Sequence, residues 1–284
     1  MTKGQEILQM ATKNNHTNDM LMNAYNISSD EIFDAIVIAP TWSPYRIGGF
    51  PIEGIVDCKD MQKSDVSFTD HGDRTPMMKR LSKSYIVEWN GHRIAWLKTG
   101  TCAGNVIDST LLLANNKTEK LIFLGAAGGI VPNVKPCELI TPKCCVDYVG
   151  ATRYFIDEMN SEGFGKTIEP ENPLFIEQIL RIARQKGIKL SSRKVFCTDT
   201  IIGEYLQMNR ILGTGAEVIE METSAFYCAT SLMKKIAAAF LVISDNHSIG
   251  ESLSAPKREL FEHYNQTIKN NIPILLDIVC KAEI

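Results

Sequence analysis

Two acids flank a single methionine in the string "EVIEMETSAFY" (217 to 227), which places Glu220 and Glu222 where a strand hands over to a helix. A carboxylate there accepts hydrogen bonds only, and it can take two of them from a vicinal diol such as that of a sugar. Acids at a helix N-terminus also stabilise the helix by roughly 0.3–1 kcal/mol, so the string has a structural reading beside the chemical one. A third acid, Asp245, closes the apolar run "AAAFLVISD" (237 to 245), and His247 follows it as a possible loop histidine. The stretch "LIFLGAAGGIVPNVKP" (121 to 136) carries five consecutive small residues, Gly125, Ala126, Ala127, Gly128 and Gly129. Removing side chains lets backbone N–H groups approach an anion or a sugar, although glycines here would equally serve close packing of a loop on a helix.

Composition narrows the classes of chemistry. A chain of 284 residues with 44% hydrophobic content can bury a large core. The net charge is −3 and the basic residues are scattered, so no nucleic-acid footprint is present and a small ligand is expected. The longest strongly apolar run, "IAAAFLVIS" (236 to 244), is nine residues, short of the roughly 20 that span a bilayer. The N-terminal "MTKGQEILQMATKNN" lacks the apolar core of a signal peptide, which makes the cytoplasm the expected compartment. Of the eight cysteines none forms a CxxC pair, so they read as reduced core residues rather than a disulfide framework or zinc cage. No HExxH, GxSxG or GxxxxGKS string occurs, and neither a metal nor an organic cofactor is expected.

The elements that must position these groups alternate between strand and helix, the signature of a layered α/β domain. Strands are expected at 34–40, 85–91, 92–100, 120–128 and 237–245, and helices at 105–116, 173–187 and 221–235. Pro173 suits a first helical turn and Gly187 a C-terminal cap. The C-terminal segment 256–279 reads as one long helix broken near Pro273. Residues 31–284 are expected to form a single domain, with the polar residues 1–30 as an appended arm and the loop 57–76 as an insertion or lid. In open α/β sheets ligands collect beyond the carboxyl ends of the strands, and three of these strands end in "LKTGTCAGN", "FLGAAGGI" and "ISDN".

The ordered set "GAAGG", "VIEMETSAFY" and "VISDN" resembles the nucleoside phosphorylase and nucleosidase superfamily, over roughly Asp34 to Val279, and most closely its bacterial-type purine nucleoside phosphorylase branch. The resemblance implies a three-layer αβα sandwich around a mixed, partly closed β-sheet, and cleavage of the N-glycosidic bond of a nucleoside. It implies that Glu222, with Met221 and Thr101, holds the ribose, and that Ala127, Gly128, Ile201, Ile219, Glu220 and Ser244 surround the base. Asp245 resembles the acid that protonates a purine ring nitrogen, and Arg258, thirteen residues on, the arginine that pairs with it. Protonation turns a poor purine leaving group into a better one. Ile201 stands where relatives often stack an aromatic ring.

The same resemblance implies that phosphate, the co-substrate, meets Arg46 after the first strand, the 126 position of the glycine loop, and Arg80 lent by a neighbouring subunit. The family's Gly-Asp-Pro string is replaced by "TWSP", its middle arginine by Phe123 and its loop serine by Ala126. Charge-assisted contacts to phosphate contribute roughly 1.5–3 kcal/mol each, so these replacements weaken a phosphate site. The expected activity is purine nucleoside phosphorolysis to free base and ribose 1-phosphate, in purine salvage. Hydrolysis of a methylthioadenosine-type substrate, uridine phosphorolysis, and a non-catalytic nucleoside-binding protein are the alternatives. A dimer-based homo-oligomer, expected to be a hexamer, would bring Tyr25 or Arg80 of one chain to the site of the next.

Overall fold

The computed structural model describes residues 1–14, 19–58, 83–156, 165–251 and 257–283. Arg80 and, beyond Asp57 and Cys58, the 57–76 loop lie outside the described residues.

The apolar runs form a mixed ten-stranded sheet with the order β10-β6-β8-β9-β5-β1-β4-β3-β2 and an additional β10–β5 pairing. Its centre is β5 (Lys120–Gly129), parallel to β1 (Ala35–Ala39) and to β10 (Ile236–Asn246), and antiparallel at its far end to β9 (Val218–Glu220). The circuit from β5 through β10, β6 (Leu139–Tyr148), β8 (Leu190–Thr198) and β9 back to β5 closes part of the sheet. The open wing runs from β1 to β4 (His92–Lys98), β3 (Lys83–Trp89) and β2 (Ile55–Asp57), while β7 (Lys166–Ile168) pairs with β6. The partly closed, mixed sheet expected from the resemblance is therefore present.

Both faces of the sheet are buried, because alternate side chains enter different apolar layers. On β1, Ile36 and Ile38 join one cluster and Ala35, Val37 and Ala39 the other; on β10, Ala237, Ala239 and Leu241 oppose Ala238, Phe240 and Val242. The first layer includes residues of α1 (Lys3–Asn14), α2 (Met20–Tyr25), α4 (Ala103–Leu111) and α7 (Thr223–Met233). The second includes α3 (Pro44–Ile47), α5 (Pro173–Gln185) and α8 (Arg258–Lys281). A smaller cluster of Ile130, Phe196, Ile211 and Ile219 seats α6 (Glu204–Gly213).

Several local expectations hold and others need correction. Pro173 opens α5 behind the Asn172 cap, and Gly187 follows its end at φ +76°. The helix at the C-terminus is continuous through Pro273, contrary to the expected break. Proline removes one N–H only, and Ile272, Pro273, Leu275, Leu276 and Val279 are all buried, so packing holds the turn together. Gly49, at φ +84°, lies against it: a Cβ there would stand 2.9 Å from Pro273 Cγ. Strands β6 and β8 were not expected. The first is interrupted by a register shift between Pro142 and Cys144; the second starts polar, with Arg193 bridging Glu138 and Glu217 at 2.7 Å each.

Residues 1–30 do not stand apart as an arm: Leu8, Leu21, Ala24, Tyr25 and Ile27 share the apolar cluster of β1 and β5. Tyr25 is 1% exposed and its phenol donates to Ser109 Oγ at 2.6 Å, so it belongs to its own chain's core rather than to a neighbour's site. Of the cysteines, Cys58, Cys137, Cys145, Cys197 and Cys228 are buried, whereas Cys102 is exposed. Among the described residues no helix is long and apolar enough to cross a membrane.

If the N-terminal residues are part of the core, Leu21→Ala should lower unfolding free energy by about 2–5 kcal/mol in a urea titration. An unchanged midpoint would mean that α2 is a detachable appendage.

Candidate active site

Chain segments at the C-terminal ends of β1, β4, β5, β8, β9 and β10 converge on one cavity of about 690 Å³. Pro40 and Thr41 follow β1, Thr101 follows β4, residues 125–128 come from β5, and Thr198 from β8. Ile219 to Glu222 come from the β9–α7 junction, Ser244 and Asp245 from β10, and His247 from the turn beyond. The turn before α6 supplies Ile201 and Ile202, and the first turn of α6 supplies Glu204 and Tyr205. This is the crevice at the strand ends that open α/β sheets use for ligands.

The two acids around Met221 have different tasks. Glu220 is buried at the N-terminus of α7, and its carboxylate accepts from the backbone N–H of Glu222 at 2.8 Å and of Thr223 at 2.9 Å. The Cys197 thiol donates to it as well. Glu220 thus anchors the strand-to-helix junction while also lining the cavity. Burial pushes Glu220 up despite these donors. Glu222 uses one oxygen, Oε1, to accept from the Cys102 N–H at 2.8 Å. Its other oxygen is not used in this contact. Burial, and then the charge of Glu220, push Glu222 up to about 7. Cys102 presents its N–H from an unfavourable backbone conformation at φ +84°, a cost of order 1–3 kcal/mol that tertiary contacts must hold in place.

Asp245 reaches the cavity through a bulge. The parallel register of β10 on β5 shifts between Ile243 and Asp245, so that Asp245 stands opposite Gly128 and both Ser244 and Asp245 face the cavity. A Cβ on Gly128 would lie 3.5 Å from Asp245 Oδ1, so the glycine leaves this wall open. At Gly129 the reason is packing: a Cβ would lie 2.7 Å from Asn246 Nδ2. That amide donates at 2.8 Å to the carbonyls of Val131 and Val134, tying the loop after β5 to the end of β10. Ser244 Oγ lies 2.7 Å from Asp245 Oδ1 and 3.2 Å from the Ala127 carbonyl.

The structure brings together Glu222, Met221, Thr101, Ala126, Ala127, Gly128, Ile201, Ile219, Glu220, Ser244 and Asp245, as expected from the sequence. It does not bring in Arg258, whose side chain is 90% exposed and bonds Glu262 one turn along α8 at 2.8 Å. The expected Asp245–Arg258 pair is therefore absent; helical spacing gives Arg258 a closer acid. Arg46 also does not line the cavity: it is exposed on α3, with Tyr264 close enough for its phenol to feel the charge. Phe123, in the position of the expected middle arginine, is 1% exposed and packs on Phe226 at 5.6 Å between ring centroids. Among the described lining residues there is no lysine or arginine.

Sequence reasoning missed Pro40, Thr41, Thr198, Ile202, Glu204 and Tyr205. Tyr205 supplies the aromatic ring that Ile201 lacks, and it meets His247 edge-on at 5.6 Å. Glu204 is only 7% exposed, and burial followed by the charge of Asp245 pushes it up to about 7. The signal for both was an amphipathic α6 starting just after "TDTIIG", which brings its first turn to the cavity.

Comparison with known proteins agrees with this architecture. A purine nucleoside phosphorylase of the DeoD type from Anoxybacillus flavithermus is 27% identical over 174 residues, 60% of this chain and 71% of its own. The uridine phosphorylase of Vibrio fischeri ES114 superposes with a TM-score of 0.67 at 15% identity, over 90% of this chain and 95% of its own. The 5′-methylthioadenosine/S-adenosyl homocysteine nucleosidase of Campylobacter jejuni gives 0.65 at 15% identity, over 88% and 100%. Because the sequence pattern of the phosphorylase superfamily matches residues 59–279, the chain belongs to that family of nucleoside phosphorylases and nucleosidases.

Proposed function

We propose that the chain cleaves the N-glycosidic bond of purine nucleosides, with phosphate as the nucleophile, to give free base and ribose 1-phosphate. The observation that carries this reading is the placing of Glu222 and Asp245 on one cavity wall system, the first fixed by a backbone N–H and the second aimed by a bulge. The likeness to DeoD-type purine nucleoside phosphorylases supports the choice of base and nucleophile.

In this reading the free oxygen of Glu222 accepts from the ribose hydroxyls, and Met221 packs under the sugar. As the bond breaks, positive charge grows on the sugar ring, and a carboxylate already seated in a cavity without lysine or arginine among its described residues favours that charge. Asp245 hands a proton to the ring nitrogen of the departing purine, and Tyr205 and His247 flank the base. The hydroxyls of Thr41 and Thr101 and the backbone at Gly125 and Ala126 face the remaining space, where the nucleophile would sit. Arg80, from a second copy in a dimer-based oligomer, would supply a cationic contact to phosphate.

A second reading, hydrolysis, is favoured by one observation: the described lining offers an anion no cation, and Phe123 is committed to the core. Water needs no such partner. Base release from inosine, adenosine, methylthioadenosine and uridine, with and without phosphate, separates the two. Phosphate-dependent purine release with ribose 1-phosphate is expected; equal release without phosphate would replace phosphorolysis by hydrolysis. Release from uridine alone would refute the purine assignment, and no release would leave a binding protein. Asp245→Asn should slow purine release by about 10²- to 10⁴-fold while nucleoside still binds.

Glu222 also ties stability to pH. Between its ordinary 4.5 and about 7 the unfolded chain releases the proton that the folded chain keeps. The contribution of Glu222 to stability is therefore present below that window and is lost as pH rises through it. Glu222→Gln should remove this slope, gaining stability relative to the parent at about pH 8 compared with about pH 5 in paired denaturation curves. Parallel pH profiles for the two proteins would contradict the raised value.

A further inference from the structure

The turn that carries Met221 and Glu222 is held by a thiol on a neighbouring strand. Cys197 is fully buried on β8, which runs parallel to β9 with Cys197 opposite Glu220. Its thiol donates to Glu220 Oε1 at 2.6 Å, and its sulfur accepts from the backbone N–H of Ser224 at 3.3 Å. A thiol can fill both parts, as a weak donor and a weak acceptor. Burial pushes Cys197 well above the usual thiol range, so the proton stays on sulfur.

Glu220 extends this hold along the turn. Its carboxylate accepts from the Glu222 N–H at 2.8 Å and the Thr223 N–H at 2.9 Å. The N–H groups of Glu222, Thr223 and Ser224, which a helix start leaves without partners inside the helix, are thus met by Glu220 and Cys197. The Glu222 carboxylate is fixed separately, by the Cys102 N–H at 2.8 Å. It is therefore located from two sides, through its own oxygen and through the backbone from which it projects.

We infer that Cys197 is a positioning residue for the Glu222 carboxylate, fixing the turn from which Glu222 reaches the sugar by holding Glu220 and the Ser224 N–H together. The inference rests on the reading of Glu222 as the ribose-binding acid. Cys197 is not among the described residues that line the cavity, so it acts through Glu220. A second contact on the same helix supplies a control. Ser224 Oγ donates to Asp147 on β6 at 2.6 Å, which ties α7 to the sheet without involving Glu220 or Glu222.

The test is a double-mutant cycle on nucleoside cleavage. Cys197→Ala should lower kcat/KM by about 10- to 100-fold, the effect of a small displacement of a group that holds the substrate. In a Glu222→Gln background the same change should cost less than about threefold, because the carboxylate that it positions is gone. Cys197→Ser keeps a donor and an acceptor and should stay within about threefold of the parent. Ser224→Ala should do the same, since it leaves the thiol and Glu220 in place. Additive losses in the cycle, no loss in Cys197→Ala, an equal loss in Cys197→Ser, or a comparable loss in Ser224→Ala would each overturn the inference.

If the parent cleaves no nucleoside, the proposed function fails, and amide hydrogen exchange in the whole protein decides the positioning by itself. Faster exchange in Cys197→Ala, by about tenfold or more and confined to the N–H groups of Glu222, Thr223 and Ser224, upholds it. Unchanged exchange, or a uniform rise along α7, overturns it.

Discussion

The parallel pairing of β5 with β10 is the constraint on which the site depends. These two strands run side by side from Lys120 and Ile236 to Gly129 and Asn246, and they send alternate side chains into the two helical layers. At their ends the alternation fails by one residue, and that failure aims Ser244 and Asp245 at the cavity together. Gly128 opposite leaves the space, and Asn246 locks the next loop in place through two carbonyls. Beside the bulge, Ile243 accepts from the Cys137 N–H at 2.7 Å and donates to the Glu138 carbonyl at 2.9 Å, which limits the cost of the interrupted pairing.

The second feature is a concentration of carboxyls without counter-cations. Glu204, Glu220, Glu222 and Asp245 all border one cavity, and no lysine or arginine lines it among the described residues. Each is accommodated differently. Glu220 takes N–H groups at a helix start, Glu222 takes one N–H and rises toward neutrality, Asp245 meets the Ser244 hydroxyl, and Glu204 rises with no donor among the described residues. An excess of negative groups in a space shielded from water suits a reaction in which a sugar becomes positively charged and a base departs with a proton. It suits a phosphate dianion much less, so a phosphate nucleophile would need cations from outside the described lining.

The pattern of agreement with the sequence follows burial. Alternating and helical periodicities located β1, β3, β4, β5, β10 and three helices within a few residues, because each buries a continuous apolar face. They missed β6 and β8, where Pro142, Lys143, Arg193 and Lys194 interrupt the apolar pattern and where Arg193 pairs with Glu138 and Glu217. Pro273 read as a break because one lost hydrogen bond is visible in sequence and the packing that outweighs it is not. Among site residues, those within the motif strings were placed correctly in the cavity. Arg258, inferred from its spacing, and Arg46, carried over through a string that departs from the family's, were not.

By itself the sequence determined the layered α/β architecture, the family, and the acid-Met-acid and Ser-Asp strings that border the cavity. These are local: strand ends, small residues and capping acids are legible because neighbouring residues in the chain create them. Only the tertiary structure decided that Glu220 accepts from the N–H groups of a helix terminus while Glu222 accepts from Cys102, that Arg258 turns to Glu262, and that Glu204 lines the cavity. The physical reason is that hydrogen bonding acts through space over a few ångströms, and 120 positions of chain separate the Cys102 N–H from the Glu222 oxygen that it meets at 2.8 Å.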